Sequence, residues 1–222
     1  MTEAAWLAST DIWSMARFLK GRASDRKLRL FACACCRMVW GWMTDARSRQ
    51  AVEIAEQLAD GNDTLKNLSE VAESSYAAFY EAGHPNAALS RIYAAWVANM
   101  ATAKPLHTED VIQHTALVAG WNAVPEKDAI SDDSALDDPA WDTAYDNSMK
   151  QEACLLRDIF GNPFRPVSLD ASVLAWNDST IPKLAQGVYE DRAFDRLPHL
   201  GRRFGRKWLF GPGHSRSLPP AE

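Results

Sequence analysis

No stretch of this 222-residue chain reaches the roughly 18 consecutive apolar residues that a membrane-crossing helix needs. Its first ten residues, MTEAAWLAST, carry neither a basic cluster nor an apolar segment and so do not read as a secretory leader. HExxH, GxSxG, the phosphate-binding GxxxxGK loop and GxGxxG are all missing, which closes the motif routes to a zinc protease, a serine hydrolase, a nucleotide-binding protein or a dehydrogenase. Cysteine is scarce. The chain has Cys33, Cys35, Cys36 and Cys154, three of them bunched, which is not the spacing of a secreted disulfide framework. These absences lead to the expectation of a soluble, cytoplasmic protein with reduced thiols and no cofactor. Sustained apolar–polar alternation is lacking too, so no segment reads as a strand.

What is present is ordinary in proportion and uneven in arrangement. Apolar residues make up 47% of the chain and charged residues 24%, a globular composition. Nine Trp are many for this length, and each brings a large apolar area with one N–H that needs a partner, which suits cores and interfaces. The net charge of -5 conceals blocks. Arg17, Lys20, Arg22, Arg26, Lys27, Arg29 and Arg37 face a single Asp25, whereas residues 126–146 hold Glu126 and seven Asp against Lys127. Six basic residues and no acidic one lie between Arg196 and Arg216.

Helical signals dominate. Thr2 and the Ser9–Asp11 stretch can cap two short opening helices, and Gly21 sits where a helix-ending glycine belongs. Ser24 precedes a run to about Trp42 in which Leu28, Phe31, Cys35, Val39 and Trp42 share one face, widened by Leu30, Ala34 and Met38, so this reads as the central helix. Further helices are expected from Thr44 or Asp45 to Gly61, over 64–82, over 87–103, from a Thr108 cap to about Asn122, from Pro139 to Phe160 and from a Thr180 cap to about Phe194. In the Pro139–Phe160 run, Ala144, Met149, Cys154, Leu155 and Ile159 form the apolar stripe. The segment of about 124–138 reads as an acidic loop. The expectation is an all-α fold, a single helical domain of about seven to nine helices over 1–198, with an irregular basic tail over 199–222.

Three stretches carry a resemblance. Ser24 to Arg37 (SDRKLRLFACACCR), Leu155 to Pro166 (LLRDIFGNPFRP) and Tyr189 to Pro198 (YEDRAFDRLP), together with Met1, Thr2, Glu3 and Trp6, resemble a family of uncharacterised bacterial proteins expanded in a few large genomes. The match departs after Pro198, where relatives continue with an acidic, cysteine-containing helix. The resemblance implies a shared fold and supplies no catalytic residue.

Two constellations remain. Successive residues on a helix turn by about 100°, so among the bunched cysteines only Cys33 and Cys36 share a face. A tetrahedral zinc set would need Cys154 and a fourth ligand to converge on them, and small buried core residues are the simpler reading. Arg29 and Arg37 flank Cys33 at four residues, a placement that would favour its thiolate unless both side chains are engaged elsewhere. The turn Phe160-Gly161-Asn162-Pro163-Phe164-Arg165 ends a helix and can staple it, or can serve as a recognition surface through Phe160, Asn162, Phe164 and Arg165. Trp208, in the basic tail, is a further interaction candidate. The functional expectation is therefore a non-enzymatic interaction or accessory module whose partner is another protein. A thiol-based or metal-binding regulator using Cys33, Cys36 and Cys154 is the second reading. Nucleic-acid binding through the tail is the third, disfavoured by the acidic whole.

Overall fold

Short polar side chains set the helix starts. Thr2 Oγ1 accepts a hydrogen bond from Ala5 N at 3.2 Å, Asp11 Oδ1 from Ser14 N at 3.1 Å, Ser24 Oγ from Lys27 N at 3.4 Å and Asp45 Oδ1 from Arg47 N at 2.8 Å. Each satisfies one of the N–H groups that a helix start leaves open. They open α1 (Glu3–Ala8), α2 (Ile12–Leu19), α3 (Asp25–Met38) and α4 (Ala46–Ala59). The computed structural model describes residues 1–61, 68–83, 88–125, 137–166, 171–191 and 193. The other helices are α5 (Leu68–Ala82), α6 (Leu89–Thr102), α7 (Thr108–Ala123), α8 (Pro139–Phe160) and α9 (Ala171–Glu190). Among the described residues the protein is all-α, with no strand. None of the described helices is long and apolar enough to cross a membrane.

Several boundaries differ from the sequence reading. The central helix stops at Met38 rather than near Trp42. Val39 leaves helical geometry at ψ 15, and Trp40–Trp42 form a separate 3₁₀ turn around Gly41. Trp40 is held between two guanidinium groups, Arg37 at 4.0 Å and Arg49 at 5.4 Å from its ring centre, which fixes the turn against α4. Thr108 is not a cap but the first residue of α7, with His107 at the capping position and no side-chain bond there. Residues 126–136, most of the expected acidic loop, lie outside the described residues, as do 62–67 and 84–87.

The chain forms two units, Met1–Pro166 and Val167–Glu222. In the first unit α3 packs against α4, α6, α7 and α8. Phe31, Ala32, Cys33, Cys35 and Cys36 are buried together on it, so it presents more than one face to the interior. Ala94, Ala95, Ala98 and Ala101 are the buried residues that let neighbouring helices approach α6 closely. α7 meets α8 through Gly120: a Cβ there would lie 2.6 Å from Trp141 Cε2, so only glycine leaves room for that ring. In the second unit α9 is broken at Trp176–Ser179, where Asn177, Asp178 and Ser179 all take left-handed φ of 47–59°, and Pro182 stands in the first turn of the helix that resumes.

Candidate functional site

The cysteine group does not converge. Cys33, Cys35 and Cys36 are buried, while Cys154 is exposed on α8 and accepts a hydrogen bond from Arg157 Nη2 at 3.2 Å on its own helix. Among the described residues no three His, Cys, Asp or Glu side chains are grouped to hold a metal ion. The two arginines beside Cys33 are engaged elsewhere. Arg37 grips Glu56 with both Nε and Nη2, at 2.8 and 2.6 Å. Arg29 is itself buried and donates from Nη1 to Ala101 O at 2.5 Å and from Nη2 to Ala103 O at 3.3 Å, so it caps the end of α6. Burial, reinforced by the nearby Glu56 carboxylate, pushes the Cys33 thiol up to about 12 against the pull of Arg29 and Arg37. Burial raises Cys35 and Cys36 well above the ordinary thiol range as well, and Cys36 Sγ donates to Val97 O at 3.5 Å. These three sulfurs sit as neutral packing groups.

The turn after α8 comes together with the start of the chain. Trp6 is fully buried and donates its Nε1–H to Gly161 O at 2.9 Å. Glu3 receives Asn162 Nδ2 on Oε1 at 2.7 Å and pairs with Arg165 at 2.7 Å. Asn162 Oδ1 accepts from Phe164 N at 3.0 Å, tightening the turn, and the Phe164 ring stacks on Phe18 with centres 5.0 Å apart. Lys27 Nζ donates to the carbonyl of the buried Phe160 at 3.3 Å, and Arg157 donates to Ser9 O. The four candidates of this turn are therefore engaged within the protein: Asn162 and Arg165 with Glu3, Phe164 with Phe18, and Phe160 with Lys27, which belongs to the Ser24–Arg37 stretch. Gly161 makes the turn possible at φ +65°, a conformation open to glycine at little cost. Trp208 and the basic run 196–216 lie outside the described residues.

A second surface was not singled out from the sequence. Tyr76 and Tyr80 are four residues apart on α5 and are 50% and 76% exposed. Tyr76 leans on Phe79 (6.0 Å) and Trp96 (6.2 Å), and Phe79 packs on Trp96 at 4.5 Å, so the Tyr76 ring stands on an aromatic base shared between α5 and α6, with Tyr80 one turn further along α5. The signal in the sequence is the Tyr-x-x-x-Tyr spacing within the helix expected over 64–82. Arg47 fastens the end of α5 by donating to Glu81 Oε2 at 2.6 Å while also holding Asp45 at 2.8 Å.

No family model matches the chain, and neither a curated protein nor a solved structure matches it.

Proposed function

We propose that this protein is a non-enzymatic, cytoplasmic interaction module that binds another protein through the aromatic ridge of α5. The observation that carries this reading is the exposed pair Tyr76 and Tyr80, of which Tyr76 is backed by Phe79 and Trp96. Large amphipathic rings are the residue type that concentrates binding energy at protein interfaces, and rings already anchored lose less conformational freedom on binding. The buried, protonated thiols of α3 support the same reading, because they leave no activated nucleophile there.

The test is site-specific photo-crosslinking in cells, with a benzophenone side chain at position 80 and, as a control, at the exposed Lys150 on α8. One discrete crosslinked protein species at position 80, absent at 150 and competed by the unmodified protein, is the expected result. Tyr80→Ala should abolish co-purification of that species while changing stability by less than about 0.5 kcal/mol, as for an exposed side chain. Equal labelling at both positions, or retention of the partner by the Ala variant, overturns the assignment.

A further inference from the structure

Glu152 lies on the buried side of α8 with 0% of its surface exposed. Its Oε1 accepts a hydrogen bond from the neutral Ser148 hydroxyl at 3.1 Å, and its Oε2 has no hydrogen-bond partner. Among the described residues no cation reaches it. On α3 the nearby titratable group is the buried Cys35 thiol, and the one cation buried on that helix, Arg29, is held by the carbonyls of Ala101 and Ala103. On α7 the charged residues Glu109 and Asp110 are exposed, and His114 is turned to Tyr93 and Trp96 of α6. On α2 Arg17 is exposed. On α8 itself Tyr145 is the titratable neighbour, Lys150 is exposed, and Arg157 is held by Ser9 O and Cys154. An ionised carboxylate in such a place would be an uncompensated charge, whereas a protonated one can stay hydrogen-bonded and otherwise packs as a neutral group.

We infer that Glu152 is a proton latch: uncharged, it packs α8 onto α3, and when it gives up its proton the unpaired charge loosens that packing. Burial acts in this direction, holding the carboxyl well above its ordinary value of 4.5, with the Ser148 bond opposing it weakly. The sign of the consequence follows. A carboxyl whose folded-state value is raised binds its proton more tightly when folded, so its contribution is fully present below the unfolded value near 4.5 and is lost as pH rises towards the folded value. The latch therefore weakens the fold towards neutral and alkaline pH, opposite to the ordinary surface carboxylate.

The test compares thermal melts of the full chain and its Glu152→Gln variant from about pH 5 to about pH 8, above the unfolded value near 4.5. Gln keeps the shape and the Ser148 contact and cannot ionise. The variant should gain on the wild type as pH rises, by about 3–5 °C in Tm for each unit by which burial raises the group. A gap that does not change with pH overturns the latch. A second measurement does not depend on the variant folding. In wild-type protein labelled at the glutamate side-chain carboxyl carbons, one signal should titrate last, well above the rest, and complete titration of every glutamate near 4.5 overturns the proposal as surely.

Discussion

The two places where α8 meets the rest of the first unit are built on opposite terms. At its C-terminal end, the seam with α1 and the start of α3 gives every polar group named there a partner: Trp6 to Gly161, Asn162 and Arg165 to Glu3, Lys27 to Phe160. About two turns earlier, at Glu152, the same helix buries a carboxyl with one weak neutral partner and one vacant oxygen. The seam gains specificity from paired groups at the edge of the core. The latch makes the interior sensitive to a single proton. Where polar groups are satisfied, the fold is indifferent to modest changes in solution. Where one is not, the solution can act on the fold.

The comparison can be broken most severely at Trp6. Trp6→Ala removes a fully buried ring and orphans the Gly161 carbonyl, with an expected loss of about 3–5 kcal/mol in denaturant unfolding. Arg29→Ala tests whether a satisfied charge in the core is as costly to lose as a ring at the seam. It strips two partners from the end of α6 and should cost about 2–4 kcal/mol, most of it as unsatisfied carbonyls, so that Arg29→Lys restores only part. The smallest effect belongs to Arg165. Its pair with Glu3 is largely in water, and Arg165→Ala should cost less than about 1 kcal/mol, less again in high salt. A loss at Arg165 comparable to that at Trp6 would mean that charge, not burial, holds the seam.

Much of the fold was legible because its signals are local. Thr2, Asp11, Ser24 and Asp45 cap helices within three residues of themselves. The face of α3 was read in part: Phe31 and Cys35 are buried, but the buried face widens through Arg29, Ala32, Cys33 and Cys36 rather than through Leu30, Ala34 and Met38, which are half-buried. α8 shows where local reading fails. Its expected stripe included Cys154, which is exposed, whereas four of the five buried positions, Ser148, Glu152, Leu156 and Phe160, run at four-residue intervals, with Ala153 beside them. Two of those four are polar, and a hydrophobic pattern passes over them even when they define the inward axis. The helical stretch opening at Ala171 was missed for a related reason, since its first limb has few charged residues to contrast with its apolar ones. The seam could not be read from spacing at all, because its partners are 155 residues apart. The two motif stretches stood out separately, and only the folded chain shows that each completes the other.

That distance has a consequence for the order in which the protein is made. Trp6 leaves the ribosome 155 residues ahead of Gly161 and must wait for that stretch to be synthesised before the Gly161 carbonyl arrives to receive its indole. Until then α1, a helix of only six residues, has little to hold it. The seam thus acts as a closure reached only by a finished unit, and a chain cut short before residue 161 would leave a tryptophan uncovered as the sign of its own incompleteness.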